Sequence, residues 1–246
     1  MNSRWRPYGT GAGAWVVSLV VAASITAGCF SVVTQNSYAP PILPPPPNEM
    51  VVAESFDRVW DRLVGELAKS FYVINNVEKV SRIINVSFSS DSPRAFADCG
   101  QRTRVSGVGK RVEEHVYNVA DSNSYTLTQK WGVYNNLPSV SRVTRRARLE
   151  GRANIYVAPR DSGTVVSVNA RFTLSVAATG VTEFYNAFGQ IQSTQPIDEA
   201  PSSVTFDTRQ AGSADWGKAG VPSPITCMST GHLEGSILAM ATANVR

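Results

Sequence analysis

The chain has 246 residues, 43% of them hydrophobic, which is enough for one sizeable domain with a buried core. Its formal net charge of +4 falls by two if the N-terminal segment that holds Arg4 and Arg6 is removed. So small an excess of positive charge argues against nucleic-acid binding. With two histidines and three well-separated cysteines, the chain lacks the ligand set of a zinc site, and no metal or cofactor is expected.

The N-terminal residues have the composition of an export signal. An apolar run extends from Trp15 to Ile25, Arg4 and Arg6 precede it, and no acidic residue occurs before Glu49. The run is shorter than the ~20 residues that a helix needs to cross a bilayer, which favours a signal over a membrane-spanning segment.

Residues 25–29, with the sequence Ile-Thr-Ala-Gly-Cys, resemble the lipobox of bacterial lipoproteins, although Thr26 replaces the usual leucine. The resemblance implies that residues 1–28 are a cleaved lipoprotein signal peptide and that Cys29 carries diacylglycerol and an acyl chain such as palmitate. Phe30 follows the cysteine, as in the Gram-negative lipoproteins sorted to the outer membrane, and the inner membrane is the alternative. Two other interpretations stay open: a cysteine beside an ordinary cleavage site, and an uncleaved anchor.

Residues 29–49 are predicted to form a lipidated, proline-rich tether. Proline dominates residues 39–47, which favours a stiff polyproline II rod. Such a rod would act as a spacer that holds the domain away from the membrane. The alternative is a docking ligand for a proline-binding partner.

A single periplasm-facing α+β domain is predicted over residues 50–246, and it begins with an amphipathic helix. Ser55 is the expected N-cap. The apolar residues that follow at helical spacing are Phe56, Val59, Trp60, Leu63, Val64, Leu67 and Phe71. Short strands are predicted at residues 71–77, 82–89 and 125–131.

The clearest strand pattern is a long antiparallel hairpin. Alternate residues are apolar in 149–157 and again in 166–176, and a turn sequence occupies 159–163. Residues 179–226 are predicted to form a long irregular excursion. Helical spacing of apolar residues returns in 230–245.

This order of elements predicts a two-layer α+β sandwich, because the apolar face of a one-sided sheet must be covered. An antiparallel sheet of about four or more strands would be covered by the N-terminal and C-terminal helices. The order resembles the helix-grip domains of the BamC-like outer-membrane lipoproteins, over residues 50–245. The cysteine pair of this chain has no part in that resemblance.

Cys99 and Cys227 are predicted to form a disulfide. They remain as an even pair once Cys29 is lipidated, and export places them in an oxidising compartment. Two unpaired buried thiols are the alternative.

The sequence contains no convincing catalytic constellation. Residues 106–111 resemble the end of a phosphate-binding loop, but Arg111 stands where a hydroxyl residue is needed after Lys110. No Gly-x-Ser-x-Gly elbow occurs. His115 is interpreted as structural, although two glutamates precede it. The protein is therefore not expected to be an enzyme.

Four arginines are candidates for an anion or partner patch on the exposed face of the hairpin: Arg146, Arg148, Arg152 and Arg171. Guanidinium groups form bidentate hydrogen bonds with phosphate, so the patch would suit anionic lipid, lipopolysaccharide phosphate or an acidic partner. The alternative is a solvated sheet face that Glu150 partly neutralises.

Together these features predict a membrane-anchored lipoprotein whose soluble domain binds another cell-envelope component without catalysis. The partners are the membrane, through the N-terminal lipid, and an envelope protein or anionic lipid. A periplasmic carrier of lipid or another small molecule is one alternative, and a periplasmic hydrolase is another.

Overall fold

The computed structural model describes residues 32–108, 111–131, 137–217 and 222–243. The predicted signal peptide and the lipidation site Cys29 lie outside these residues, as do residues 109–110 of the loop-like segment. No helix in the described part of the chain is long and apolar enough to cross a membrane.

Strands dominate the described chain. In chain order the elements are β1 (Val32–Ala39), β2 (Glu49–Val52), α1 (Phe56–Lys69), β3 (Val73–Glu78), β4 (Ile83–Ser90), a 3₁₀ turn (Pro93–Ala95), β5 (Ala97–Asp98), β6 (Gln101–Val108), β7 (Arg111–Asn118), β8 (Asn123–Trp131), β9 (Leu137–Arg160), β10 (Gly163–Tyr185), β11 (Ile191–Asp207), β12 (Gly212–Asp215), β13 (Pro224–Ser229) and α2 (His232–Thr242). The short strands predicted at 71–77, 82–89 and 125–131 correspond to β3, β4 and β8.

The strands form three antiparallel sheets. The largest has seven strands in the order β11-β10-β9-β4-β3, with β2 also paired to β10 and β8 also paired to β9. The other two sheets have the orders β1-β6-β7 and β12-β13-β5.

The predicted hairpin is confirmed, and it is longer than expected. β9 and β10 have 24 and 23 residues, and they pair from the turn at Arg160 and Gly163 as far as Ser139 and Phe184. Near the turn, β4 and β2 flank the hairpin, whereas β8 and β11 flank its far half. The hairpin is therefore the axis to which the other elements attach.

One core joins the two helices to the main sheet. The apolar face of α1 is buried as predicted, through Val59, Trp60, Leu63 and Leu67. Ser55 is the residue at its N-cap, as expected, but its side chain makes no capping hydrogen bond to the helix. The helix predicted at 230–245 is confirmed by α2, which buries Leu233, Ile237, Leu238 and Ala241; residues 244–245 lie outside the described part. Both helices belong to one cluster with sheet residues such as Leu149 and Phe172.

The predicted α+β fold class is wrong. Strands make up 63% of the described residues and helices 14%, so this is a mostly β protein and not a two-layer sandwich covered by its terminal helices. The physical reason is length: α1 extends only about 21 Å, at 1.5 Å per residue, whereas each residue of the paired β9 and β10 adds ~3.3 Å. The order of elements behind the BamC-like resemblance thus differs from the order in the structure.

The irregular excursion predicted at 179–226 is also wrong, because β11, β12, β13 and the end of β10 occupy most of it. Residues 191–196 of β11 are all exposed. A strand that is exposed on both faces has no apolar alternation, which is the pattern on which strand prediction depends.

The first part of the predicted tether is not a free spacer. Residues 32–39 form β1, which pairs along its whole length with β6. The Tyr38 hydroxyl lies 3.1 Å from the carbonyl oxygen of Cys99 and accepts a hydrogen bond of 2.9 Å from the backbone N–H of Thr226. Farther along, Pro46 lies against Gly231 at the start of α2.

The predicted disulfide between Cys99 and Cys227 is present. Both cysteines are fully buried. The bond lies beside the short pairing of β5 with β13, where Asp98 is opposite Met228. It therefore ties the segment before β6 to the segment before α2.

Candidate functional site

Three arginines converge in a cleft that strands from separate parts of the chain enclose. Arg102 and Arg104 come from β6, and Arg145 comes from β9. An outer cavity of about 470 Å³ and an inner one of about 90 Å³ share Arg102, Arg104, Glu199 and Trp216 in their walls. Arg145 lines the inner cavity. We call this region the arginine–tyrosine cleft.

Strand alternation aims these side chains inward. Arg102 and Arg104 are two positions apart on β6 and therefore share one face of the strand. Arg145 shares a face of β9 with the buried residues Val143 and Ala147, and only 7% of its surface is exposed. A cation is thus held at a position where the strand otherwise places core side chains.

Two tyrosine rings support the guanidinium groups. Tyr117 and Tyr125 are stacked, with ring centroids 5.5 Å apart and planes inclined by 9°. The Arg145 guanidinium lies 4.6 Å from the Tyr117 centroid, and that of Arg104 lies 5.1 Å from the Tyr125 centroid. Arg104 Nε also donates to the Tyr117 hydroxyl at 3.0 Å. Cation–π attraction therefore replaces part of the hydration that these cations lose.

Neutral oxygens fix the orientation of Arg145. Its Nη2 donates to the carbonyl oxygen of Val119 at 3.0 Å. Its Nη1 donates to the carbonyl oxygen of Asp121 at 3.3 Å and to Asn123 Oδ1 at 3.4 Å. These acceptors orient the guanidinium group but do not cancel its charge.

The cleft has an excess of positive charge. Burial lowers the pKa of Arg102 and of Arg145, and repulsion from Arg104 lowers the pKa of both further. Burial also raises the pKa of Tyr125 to about 12, so this ring stays neutral at physiological pH. Among the described residues that line the cleft, Glu199 is the only acidic one. The arrangement suits an anion, because guanidinium groups form paired, charge-assisted hydrogen bonds with carboxylate or phosphate.

The four predicted patch arginines lie on the opposite, exposed face of the main sheet: Arg146, Arg148, Arg152 and Arg171. Arg152 and Arg171 are directly opposite each other on β9 and β10. Arg171 makes two hydrogen bonds of 2.8 and 3.2 Å to the Asp207 carboxylate. Arg148 lies 4.0 Å from each of two carboxylates. The structure thus brings the four onto one face, where nearby acids offset part of their charge.

The remaining sequence candidates do not assemble into a site. Val108 and Arg111 face each other in the β6–β7 hairpin, whereas a phosphate-binding loop leads into a helix. His115 Nε2 is buried with no hydrogen-bond partner in the described part of the chain, and it lies 3.7 Å from the Glu113 carboxylate. The described residues contain no group of three side chains suited to hold a metal ion.

The sequence prediction missed the arginine–tyrosine cleft. Arg145 carried a usable signal, because it falls on the core-facing side of the alternation that continues from Leu149 to Val157. Arg102 and Arg104 carried none, since β6 has polar residues on both faces.

Comparison with models of protein families, with curated proteins and with solved structures finds no match to this chain.

Proposed function

We propose that this chain is a membrane-anchored envelope lipoprotein whose β-rich domain binds an anionic group of another envelope component, without catalysing a reaction. The observation that carries the proposal is the convergence of Arg102, Arg104 and Arg145 in a cleft whose described lining residues include one acidic side chain, Glu199. The ligand group is a carboxylate or a phosphate, since both accept bidentate hydrogen bonds from a guanidinium group.

The size of the cleft fits one charged group of a larger molecule. Its outer cavity of about 470 Å³ lies in the lower part of the range of small-molecule sites, ~300–1,000 Å³. The inner cavity of about 90 Å³ would hold only the anionic end of a ligand. The Trp216 and Tyr38 side chains in the outer wall offer apolar surface to the rest of that ligand.

Binding of inorganic phosphate, pyrophosphate and citrate, measured by calorimetry on the full chain, tests the cleft. Arg102→Gln removes a cation that donates a hydrogen bond of 2.6 Å to Ser223 Oγ. Arg146→Gln, on the exposed face of β9, is the matched control for loss of one positive charge. We expect Arg102→Gln to weaken binding about tenfold or more, as for a lost charged hydrogen bond. Equal weakening by both variants, or by neither, would contradict a site in the cleft.

The N-terminal sequence supports the anchor. Residues 25–29 resemble the lipobox except at Thr26, and Phe30 favours the outer membrane. Two or three acyl chains, each methylene contributing ~0.8 kcal/mol, hold a protein stably at a bilayer. The test is Cys29→Ala, with Ser31→Ala as control, followed by incorporation of labelled palmitate and membrane fractionation. If both the label and the membrane association persist in Cys29→Ala, lipidation at this residue is wrong.

The lipid-carrier alternative has less support. A carrier would need open apolar space between the helices and the sheet. Instead Leu63, Phe172 and Leu233 are fully buried there and belong to one packed cluster.

A further inference from the structure

The turn between β10 and β11 holds an apolar side chain out in solvent. Phe188 is 89% exposed and Ile191 is 53% exposed. Asn186 Oδ1 accepts hydrogen bonds from the backbone N–H groups of Phe188 at 2.9 Å and Gln190 at 3.0 Å. Two backbone hydrogen bonds close the same turn. The exposed ring is therefore presented by a structured turn, which we call the arm tip (residues 186–191).

The arm tip is free of charge. No charged residue occurs from Asn186 to Ile197. Burying this segment in an apolar environment would therefore not require the removal of a charge from water, which is the most expensive part of such a transfer.

A row of contacts links β10, the strand that leads to the arm tip, to β1, the first strand of the described chain. Thr34 on β1 is opposite Ser106 on β6. Ser106 Oγ accepts a hydrogen bond of 3.2 Å from the backbone N–H of Thr128 on β8. Thr128 is opposite Val140 on β9, and Val140 is opposite Glu183 on β10. These five strands thus lie side by side at one level of the fold.

The direction of the strands places the arm tip and the start of β1 at the same end. Arg104 contacts Tyr125, and farther along both strands Ser106 contacts Thr128, so β6 and β8 run in the same direction. Every other step in the row is antiparallel. Moving from Thr34 toward the N-terminus therefore leads to the same end as moving along β10 toward Phe188.

The length of the connecting chain limits how far this end can lie from the predicted lipid. Cys29 precedes Val32 by three residues, and a chain of that length spans at most roughly 11 Å. Acyl chains on Cys29 would therefore hold this end of the domain close to the bilayer surface.

We infer that the arm tip inserts Phe188 and Ile191 into the interfacial layer of the membrane in which Cys29 is anchored. This inference rests on the lipid anchor proposed above. An exposed aromatic residue with an aliphatic neighbour is what interfacial segments use to enter the boundary between headgroups and acyl chains. With two membrane contacts, the acyl chains and the arm tip, the domain takes a fixed orientation on the membrane.

The test uses the full-length acylated chain in vesicles of phosphatidylethanolamine and phosphatidylglycerol that contain doxyl-labelled lipid. An environment-sensitive fluorophore is attached through Ala187→Cys, next to Phe188. The fluorophore reacts only there, because Cys29 is acylated and Cys99 and Cys227 form the disulfide. The control site is Val80→Cys in the β3–β4 turn, because Val80 is 91% exposed and lies beyond Ile83, at the opposite end of the main sheet. We expect the fluorophore at position 187 to show a blue-shifted emission and strong quenching, and the fluorophore at position 80 to show neither. Adding Phe188→Ser should abolish both effects at position 187.

Each outcome separates the inference from the anchor. If the chain floats with the vesicles but the probe at 187 is not quenched, insertion of the arm tip is wrong and the anchor stands. The same holds if quenching is equal at 187 and 80, or if Phe188→Ser leaves it unchanged. If the chain does not float at all, the anchor fails and the inference fails with it.

Discussion

Gly151 on β9 is a position where one added methyl group should destabilise the fold. A Cβ built on Gly151 would lie 2.2 Å from Cε1 and 2.8 Å from Cζ of Phe88. Phe88 is itself 6% exposed. Its ring packs against four other aromatic side chains, Phe71, Tyr72, Phe96 and Phe172. The ring therefore cannot move aside without displacing its neighbours.

Two effects of opposite sign decide the size of the change in Gly151→Ala. Overpacking a well-filled core typically costs ~1–3 kcal/mol. Replacing a strand glycine by alanine otherwise stabilises by ~0.5–1 kcal/mol, because the unfolded chain loses freedom. The distances of 2.2 and 2.8 Å are far inside contact, so overpacking dominates. We expect a net loss of roughly 1–2 kcal/mol in the free energy of unfolding.

Equilibrium denaturation in urea, with the disulfide intact, measures this change. Gly65→Ala in α1 is the control of opposite sign: nothing lies within 4 Å of an added Cβ, so we expect a gain of ~0.5–1 kcal/mol. Phe88→Leu removes the two clashing ring atoms, so the double variant should recover part of the loss, with a coupling of ~1 kcal/mol. A Gly151→Ala chain as stable as the original, or strict additivity in the double variant, would refute the packing argument.

Three further changes test other parts of the fold. Replacing both Cys99 and Cys227 by serine should lower the free energy of unfolding by roughly 2–5 kcal/mol, because the disulfide spans 128 residues. Denaturation with and without reductant measures this change, and reductant should not alter the stability of the variant. Tyr38→Phe should cost about 1–3 kcal/mol, since its hydroxyl makes partly buried hydrogen bonds to the backbone of two separate segments. No change in the denaturation midpoint would contradict this. A hydrogen bond of 2.7 Å from Arg62 holds the pKa of Glu54 below its usual range. A carboxyl group with a lowered pKa stabilises the fold at pH values above its ordinary pKa, and this stabilisation is lost as the pH falls through the lowered pKa. Glu54→Gln should therefore make the free energy of unfolding depend less on pH in the acid range. An unchanged profile would exclude that role.

The predictable elements are those with a strong local period. Alternate residues from Leu149 to Val157 are apolar because one face of β9 is buried, and α1 shows the corresponding helical stripe. β1 has no such pattern, and the strand it pairs with is far away in sequence. β11 is exposed on both faces through residues 191–196. Counting only the strands with apolar alternation therefore underestimated the sheet content and gave too much weight to the two helices.

Arg145 and Arg146 mark the limit of sequence-based prediction of the site. They are adjacent in sequence, yet alternation sends Arg146 to the exposed face and Arg145 into the cleft, where it is 7% exposed. The strand period could have separated the two residues, but it could not have supplied the partners of Arg145, which come from β7, the β7–β8 turn and β8.

The partners are what distinguish the two arginine clusters. On the exposed face water solvates the charges, so the cluster costs little stability and needs no ligand to explain it. In the cleft, by contrast, Arg145 and Arg102 have lost much of their hydration and repel each other, which lowers the pKa of Arg145. Burying such an excess of positive charge destabilises the fold, and a bound anion would relieve that destabilisation. Binding of an anion would account for this arrangement, and for that reason we assign the proposed function to the cleft and not to the exposed arginines.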